Sequence, residues 1–346
     1  MNLFGLNRAE LEELALACGE PRYRGRQLFH GIYGLRREAT GSLTDLSKQF
    51  RQRLAERFHI ALPAVREKFS SHDRAVRYLL ELADGQAVES VFMPERDRVT
   101  LCISSQAGCA VDCRFCFTAL MGLKRNLTAG EIAGQVYAIT RDQALRPGAR
   151  LNVVFMGMGE PLLNFEQVMK AVRLLADQDG MAVPARRMTV STSGIIPRMR
   201  DLGSEPVRPK LAISLNASGN EQRTALMPLN LKYPLDALME ACRAYPLRPR
   251  ERLTFEYVLL DGVNDTEDDA QRLAGLLRGI RAKVNLIPYN SGSGLPFRPP
   301  DFGRVLAFRD VLTRREVDAF IRISRGQDVR AACGQLMLED LREKVG

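Results

Sequence analysis

Three cysteines, Cys109, Cys113 and Cys116, lie within eight residues in the run CAVDCRFC. Their spacing is C-x3-C-x2-C, and thiolates are soft ligands that suit the iron of iron–sulfur clusters. Three thiolates can bind three irons of a cubane and leave the fourth iron open to another ligand. Structural zinc would need a fourth Cys or His, and all histidines of the chain lie upstream at no ligand spacing. The pattern therefore favours a [4Fe–4S] cluster over zinc, with the ring of Phe115 as a shield.

The other four cysteines, Cys18, Cys102, Cys242 and Cys333, are scattered along the chain. An odd total of seven, behind an N-terminal MNLFGLNRAELEEL that lacks the apolar run of a signal peptide, argues against a disulfide framework. A lone cysteine is more often a small buried hydrophobe than a catalyst. Cys18 and Cys242 fall on apolar helical faces and are interpreted as packing residues. The residues alone do not decide whether Cys102 and Cys333 are packing residues or catalytic residues.

Polar side chains and glycines follow several predicted strands. The run FMGMGEPL carries Glu160, which could accept hydrogen bonds from an ammonium group, beside glycines that let the backbone approach a ligand closely. STSG with Ser191, SLNA with Ser214 and NLIPYN with Asn290 also end strands. Such side chains can bind the hydroxyls or carboxylate of a nucleoside ligand, but helix capping explains them equally well.

The elements that position these residues alternate between strands and helices. This alternation predicts an α/β fold of about six βαβ units with a parallel sheet, fewer than the eight of a closed barrel. Ligands of such folds bind at the C-terminal ends of the strands, where the cysteines and polar motifs fall. Upstream, AVRYLLELADGQAVESVFMP predicts a hairpin that turns at Asp84-Gly85. The six predicted strands are TLCISS, LNVVFMG, RMTVSTS, KLAISL, LTFEYVLL and KVNLIPY.

Residues 1 to about 60 are predicted to be helical, with Asn7 and Glu10 as a cap of the first helix, and are rich in arginine. A second capping box is predicted downstream from the spacing of Thr128 and Glu131. The whole chain has 346 residues, 45% of them hydrophobic, with 50 Lys plus Arg against 41 Asp plus Glu, a net charge of +9. That balance fits a polyanionic partner or a basic enzyme with no such partner about equally. With no apolar run of membrane-spanning length, we expect a cytoplasmic protein. The N-terminal cations are Arg22, Arg24, Arg26, Arg36, Arg37, Lys48, Arg51 and Arg53.

Taken together, the motifs resemble the RlmN/Cfr family of radical S-adenosylmethionine (SAM) RNA methyltransferases. The resemblance runs from about Pro21 to Leu336. It implies a partial (β/α)6 radical SAM barrel over 99–346, a β-hairpin linker region at 61–98 and a small helical RNA-binding accessory domain at 1–60. The segments that carry it are ESVFMP, LCISSQAGC, CRFC, KRNLTAGEI, VVFMGMGEPL, RRMTVSTSG, LAISLNA, EYVLLDGVND, NLIPYN and AACGQL.

The resemblance also implies a mechanism that uses SAM twice. One SAM methylates Cys333, and a second SAM, bound at the open iron, is cleaved reductively to a 5′-deoxyadenosyl radical. That radical takes a hydrogen atom from the methyl group on sulfur, and the carbon radical left behind adds to an electron-poor adenine carbon. Cys102 then resolves the enzyme–RNA adduct through a transient disulfide with Cys333, and Glu89 is the proton acceptor.

Ligands and partners follow from the same resemblance. It implies one [4Fe–4S] cluster per chain on Cys109, Cys113 and Cys116, an electron donor such as flavodoxin or ferredoxin, and a monomer. It also implies seven residues in contact with SAM, namely Gly159, Glu160, Ser191, Ser214, Leu215, Asn216 and Asn290.

The expected substrate is carbon 2 of an adenosine in 23S rRNA, with tRNA as a second candidate. The alternative is methylation of adenine carbon 8, as in Cfr, although IPYN and the general run of matches are more RlmN-like. A non-catalytic RNA-binding protein with a structural metal would need none of Glu89, Cys102 and Cys333. Two departures from the family stand out: Asn216 replaces a histidine, and Phe117 before Thr118 replaces a small residue.

Overall fold

The computed structural model describes residues 1–146, 148–292, 294–332 and 334–336. Cys333 lies outside the described residues. The described strands are β1 (Ala64–Ser70), β2 (Val76–Glu81), β3 (Ala87–Pro94), β4 (Val99–Cys102), β5 (Gln106–Gly108), β6 (Leu123–Asn126), β7 (Leu151–Phe155), β8 (Met188–Thr192), β9 (Lys210–Ser214), β10 (Leu253–Leu259), β11 (Ala282–Pro288) and β12 (Ala319–Ile321).

Helices connect and cover these strands. No helix in the described part of the chain is long and apolar enough to cross a membrane. The α-helices are α1 (Arg8–Ala17), α2 (Tyr23–Phe29), α3 (Lys48–Arg57), α4 (Phe117–Leu120), α5 (Ala129–Asp142), α6 (Phe165–Ala176), α7 (Ile196–Ser204), α8 (Asn220–Leu226), α9 (Leu235–Arg243), α10 (Glu267–Leu276) and α11 (Phe302–Arg314).

The predicted parallel α/β sheet is confirmed. Strands β4, β7, β8, β9, β10 and β11 pair in parallel in that order, with the short β12 added beside β11. Side chains alternate along each strand: in β10, Phe255 and Tyr257 are buried against the helices, whereas Thr254 and Glu256 face the barrel interior. This alternation leaves a line of less apolar side chains along the inner surface.

Three antiparallel strands extend the sheet upstream. The predicted hairpin is β2–β3, and its turn is closed by hydrogen bonds between Leu82 and Gln86 and from Gly85 to Leu82. Strand β1 pairs with β2 and was not expected, because most of its residues are exposed and its sequence shows no apolar alternation. The division at 61–98 stays a prediction, since β1–β3 continue the same sheet as the barrel.

The N-terminal helices pack on the barrel through an aromatic cluster. The ring of Phe4 lies 5.0 Å from that of Tyr33 and 5.1 Å from that of Tyr137 on α5, and the Tyr137 hydroxyl donates to the Tyr33 carbonyl. Both predicted capping boxes are present, Asn7 with Glu10 on α1 and Thr128 with Glu131 on α5. The N-terminal residues thus share the core of the barrel, and 1–60 as a separate domain remains a prediction.

Candidate functional site

The three clustered cysteines occupy one loop between β5 and α4. The loop folds on itself, because the Cys113 amide donates to the Val111 carbonyl and the Cys116 amide donates to the Cys113 carbonyl, at 3.1 and 2.9 Å. It is also anchored to α8, where the Leu226 carbonyl accepts from the Arg114 amide at 3.0 Å. The barrel therefore holds the three thiols in a defined arrangement.

Burial disfavours ionisation of these thiols. It raises the pKa of Cys109 to about 12 and the pKa values of Cys113 and Cys116 above their ordinary range, and the negative charge of neighbouring thiolates adds to the effect at Cys109 and Cys113. Three thiolates can therefore coexist here only beside a compensating cation. Iron in a cluster would supply that charge.

The surroundings of the loop fit an iron–sulfur cluster. Phe115, predicted as a shield, packs in a small apolar group with Leu226, Met227, Leu260 and Tyr289, against which Cys113 also packs. The hydroxyl of Tyr289 is buried without a hydrogen-bond partner among the described residues, and it lies close enough to Cys116 to feel that thiolate's charge. A buried hydroxyl of this kind calls for an acceptor, which cluster sulfur atoms would provide.

A site for a single metal ion is not formed by the described residues. No three Cys, His, Asp or Glu side chains in that part of the chain converge on one point where an ion would sit. In a cubane each cysteine binds a different iron, so the thiolates need not converge. The donor set and its geometry therefore suit a cluster better than zinc.

Gly159 and Glu160 follow β7 beside this loop. Gly159 has φ +98°, and a Cβ there would lie 2.8 Å from the backbone nitrogen of Gln106, so only glycine fits. The Glu160 carboxylate is buried, and its oxygens accept hydrogen bonds from the Ser193 amide and hydroxyl, both 2.7 Å, and from the Leu162 amide at 3.0 Å. Burial raises the pKa of Glu160. Its negative charge is near enough to affect Cys109 and Cys113.

The serine motifs meet on adjacent strands. The hydroxyl oxygens of Ser191 on β8 and Ser214 on β9 lie 3.4 Å apart. Leu215 is buried, and its backbone is already bonded to the Glu256 carbonyl and the Arg223 guanidinium. Ser191 and Ser214 thus keep side chains available to a ligand.

Asn216 supports the end of β9. It has φ +58°, a left-handed conformation that Asn tolerates better than most residues. Its buried side chain accepts from the Val258 amide at 2.9 Å and contacts the Met227 sulfur. The asparagine found in place of the family's histidine is therefore held by protein partners.

Asn290 lies after β11, beside the C-terminal segment. Its amide donates to the Ser324 hydroxyl at 2.9 Å, and its oxygen accepts from Gln327 at 3.0 Å. No direct bond from Asn290 to the Ser191–Ser214 pair is present. Asn290 is thus positioned by the chain that leads to residue 333.

Cys102 lines a cavity of about 1260 Å³ inside the barrel. Residues on both sides of 333 line the same cavity, namely Ala331, Ala332 and Leu336. This C-terminal segment is attached to the start of α4, directly after the last clustered cysteine: the Phe117 amide donates to the Gly334 carbonyl at 2.8 Å, and the Thr118 hydroxyl donates to the Leu336 carbonyl at 2.6 Å. The described cysteines form no disulfide with one another.

Glu89 is buried in β3 and forms an ion pair with the buried Arg77. Arg77 stacks on Phe69 and donates to the Val329 carbonyl, which ties the pair to the C-terminal segment. Glu89 is on the same face of β3 as Val91, which lines the cavity and is in register with Cys102. The structure thus places Glu89 and Cys102 on adjacent strands.

Two residues of the site were not singled out in the sequence analysis. Ser193 binds Glu160, and the alternation from Ser191 within STSG was the signal for it. Arg223 is fully buried on α8 and donates to the Ser193 and Leu215 carbonyls and to Asn230. Burial lowers the pKa of Arg223 to about 10, and the Cys113 thiolate opposes this shift. An arginine in NEQRTAL resembles any solvated helix residue, so no signal marked it.

Comparisons with known proteins agree with this geometry. The profile of the Radical SAM superfamily matches residues 103–274, and that of the ribosomal RNA large subunit methyltransferase N-terminal domain matches residues 1–60. The crystal structure of a radical SAM methyltransferase from Sphaerobacter thermophilus superposes with a TM-score of 0.92 at 45% identity, covering 97% of this chain and 99% of that one.

Relatives extend the likeness over nearly the whole chain. The RlmN relative of Koribacter versatilis is 51% identical over 340 residues, covering 93% of this chain and 98% of its own. The dual-specificity RNA methyltransferase RlmN of Syntrophobacter fumaroxidans is 48% identical over 331 residues, covering 95% and 96%. The chain belongs to the RlmN family of radical SAM RNA methyltransferases. Membership implies a [4Fe–4S] cluster and SAM.

Proposed function

We propose that this enzyme methylates carbon 2 of adenosine in 23S rRNA and in tRNA. The dual specificity of its relatives supports two RNA substrates. The observation that carries the proposal is the shared cavity, which Cys102 lines together with the residues on both sides of 333 and which adjoins the cysteine loop through Phe117. Methylation at carbon 8 is less favoured, because the relatives that match are RlmN proteins.

Cys109, Cys113 and Cys116 would hold one cluster per chain. When bound, the cluster supplies the electron that cleaves SAM. The buried Arg223 lies beside this loop and makes no ion pair with a described carboxylate, so its charge would offset that of the thiolates. The apolar packing of Phe115, Leu226 and Met227 excludes water from the same loop.

The strand ends would hold SAM. Glu160, kept in place by Ser193, presents a carboxylate to the SAM ammonium group. Ser191 and Ser214 offer adjacent hydroxyls to the ribose. Gly159 lets the backbone approach, whereas Leu215 and Asn216 shape the turn, and Asn290 contributes from the far strand.

The cavity residues would carry the methyl group to RNA. Cys333 accepts a methyl group from SAM and later holds the RNA through it. The RNA adduct must first lose one proton and one electron, and that electron would return to the cluster. The thiolate of Cys102, on the wall of the same cavity, then attacks the Cys333 sulfur: an S–S bond forms, the bond from that sulfur to the methylene carbon breaks, and the methylene carbon takes up a proton to become the methyl group of the released RNA. Glu89, which forms an ion pair with Arg77, would accept the proton lost from the adenine. An external thiol reductant must then restore both cysteines.

Partners follow from this chemistry. We infer a low-potential electron donor such as flavodoxin or ferredoxin, a monomeric enzyme, and action in the cytoplasm, where rRNA and tRNA are made. Residues 1–60 would add RNA contacts from outside the barrel.

The test uses the reconstituted enzyme with dithionite, SAM, and rRNA or tRNA from cells that lack the gene. Digested nucleosides are separated and identified by mass spectrometry against synthetic standards. The proposal expects 2-methyladenosine that depends on dithionite. Appearance of 8-methyladenosine would overturn the position, and absence of any methyladenosine would overturn the function.

A further inference from the structure

The cavity inside the barrel is lined by far more positive than negative side chains. Eleven Lys and Arg residues line it, against three carboxylates, Glu95, Glu251 and Glu256. The cations concentrate at the N-terminal ends of the strands: Arg98, Arg150, Arg187, Lys210 and Lys283 lie within one residue of the starts of β4, β7, β8, β9 and β11. We call this end of the cavity the mouth.

Most of these cations are not neutralised within the protein. Four pair with carboxylates: Arg98 with Glu95, Arg150 with Asp97, Arg208 with Glu251 and Arg325 with Asp73. The other seven form no ion pair with a described carboxylate. They are Arg186, Arg187, Lys210, Arg248, Arg250, Lys283 and Arg322.

Three of the seven, Lys210 on β9, Lys283 on β11 and Arg322 after β12, line the same cavity as Cys102, and Lys210 and Arg322 are close enough to Lys283 for their charges to affect it. Register pairs Cys102 with Val154, Val154 with Thr189, and Thr189 with Lys210, so Lys210 and Cys102 are in register across the sheet. Lys283 is on the inner face of β11. Arg322, just after β12, is oriented by its hydrogen bond to Asn285, which in turn donates to Glu256.

Like charges this close together repel one another. Burial and the charges of Arg322 and Lys210 lower the pKa of Lys283, and the carboxylate of Glu256 offsets only part of this. A polyanion would remove the repulsion, and RNA carries one phosphate per nucleotide. An enzyme that modifies a base must also take that base out of its stack, which draws the adjoining backbone in with it.

We propose that Lys210, Lys283 and Arg322 bind the phosphates on either side of the target adenosine inside the barrel. This inference rests on the proposed RNA function. The base then points across the cavity toward Cys102, while the backbone follows the inner faces of β9 and β11. Arg186 and Arg187 carry the next phosphates at the mouth, so the flipped nucleotide is held by its backbone from one side.

The test measures the affinity of RNA hairpins with one adenosine in the loop, identical except for one uncharged methylphosphonate flanking that adenosine. Wild-type enzyme is compared with a cavity variant, Lys210→Gln/Lys283→Gln/Arg322→Gln, and an outer variant, Arg36→Gln/Arg37→Gln/Lys48→Gln. A hydrogen bond between charged groups supports a loss of about tenfold or more per phosphate. We expect that loss for wild type and the outer variant, and none for the cavity variant.

Two results would overturn the proposal. One is that the methylphosphonate lowers the RNA affinity of the cavity variant as much as that of wild type. The other is that it does not lower the affinity of wild type, a result that does not depend on any variant folding correctly. Iron content and SAM cleavage without RNA verify that the cavity variant is intact. If wild type methylates the hairpin but ignores the methylphosphonate, only this inference fails; if it methylates no RNA at all, the proposed function fails first.

Discussion

The two ends of the barrel differ in whether their polar and charged side chains have partners within the protein. At the C-terminal ends of the strands, buried polar groups are held by protein partners, Glu160 by Ser193 and Asn216 by Val258, and the adjacent hydroxyls of Ser191 and Ser214 stay available to a ligand. Of the seven cavity cations that have no described carboxylate partner, six lie at the mouth, and the seventh is Arg322 after β12. The first end is organised in advance for small ligands of fixed shape, whereas the second is left charged for a long polyanion.

The N-terminal helices sharpen this contrast. They are basic, yet four of their eight clustered cations pair with acids of the same region: Arg22, Arg24, Arg26 and Arg53 with Glu12, Glu13 and Glu20. Such exposed pairs add little stability, but they do reduce the charge offered to RNA. Basic composition alone therefore overstates the charge that residues 1–60 offer to RNA, since four of these eight cations remain without a described carboxylate partner, against seven in the cavity.

Removing one of the three cysteine ligands is expected to have the largest effect on iron content and methylation. Cys113→Ala removes one of three thiolates, so iron should be lost and methylation should fall by more than about 10⁶-fold, the lower range of enzymatic acceleration. RNA affinity should stay near wild type, because the mouth is untouched. Iron analysis, visible absorbance and RNA binding test this prediction. Cys18→Ala, at the end of α1 in the N-terminal helices, is the control. Full iron content in Cys113→Ala would contradict the cluster assignment.

Removing the cavity thiol should trap the enzyme on RNA. In Cys102→Ala the methylene-linked adduct forms but is not released, whereas Cys333→Ala forms no adduct because nothing carries the methyl group. Denaturing gels of each variant from cells, with and without ribonuclease, show this. A slow band that ribonuclease removes is expected only for Cys102→Ala. Normal turnover by Cys102→Ala, or methylation by Cys333→Ala, would exclude the two-cysteine route.

Glu89→Gln should slow methylation by about 10²–10⁴-fold, the usual contribution of a proton acceptor. It also removes the Glu89 charge that pairs with the buried Arg77, which should lower the unfolding free energy. The double variant Arg77→Met/Glu89→Gln removes both charges and should regain stability without regaining activity. Thermal unfolding and rates of 2-methyladenosine formation separate the two effects. Recovery of activity in the double variant would make the role of Glu89 structural.

Charge removal on the N-terminal helices should have a smaller effect. Truncation is unsuitable, because Phe4 and Tyr33 are part of the barrel core. In Arg36→Gln/Arg37→Gln/Lys48→Gln we expect the slope of log affinity against log salt to change by less than about 1, compared with about 2 for the cavity variant, at about 0.7 per single-stranded phosphate. Titrations of RNA binding at several salt concentrations measure both. If the slope changes as much or more in the outer variant than in the cavity variant, the N-terminal helices contribute at least as many phosphate contacts as the cavity, and the contrast between the two regions is wrong.

The smallest effect is expected from Tyr289→Phe. Losing a hydroxyl that would donate to cluster sulfur should lower the reduction potential, because such hydrogen bonds stabilise the reduced state. Spectroscopic redox titration measures the shift, and iron content should be unchanged. Tyr245→Phe, whose buried hydroxyl also has no described partner but lies away from the loop, is the matched control. If the reduction potential of Tyr289→Phe equals that of wild type, the Tyr289 hydroxyl does not donate a hydrogen bond to the cluster.

Much of the fold followed from local sequence signals. Period-2 strands, two capping boxes and the Asp84-Gly85 turn were predicted because each depends on residues close in sequence. Strand β1 was not, because its exposed residues carry no apolar alternation. The π-helical turn at His30–Gly34 was likewise hidden in what looked like one continuous helix.

The site divides in the same way. Cys109, Cys113 and Cys116 are adjacent in sequence, so their chemistry was visible there. The contacts of Arg77 with Glu89 and of Ser193 with Glu160 depend on how the strands pair, which the hydrophobic pattern of the sequence does not determine. The cations of the mouth were not singled out in the sequence, because only the parallel sheet brings the starts of separate strands together.

The origin of the methyl hydrogens tests the central claim most directly. The enzyme is supplied with SAM whose methyl group carries three deuterium atoms, and the product nucleoside and 5′-deoxyadenosine are analysed by mass spectrometry. If the methyl group travels through Cys333 and loses one hydrogen to the radical, 2-methyladenosine should keep two deuterium atoms and 5′-deoxyadenosine should gain one. A product methyl group with all three deuterium atoms would mean direct transfer from SAM and would contradict the account.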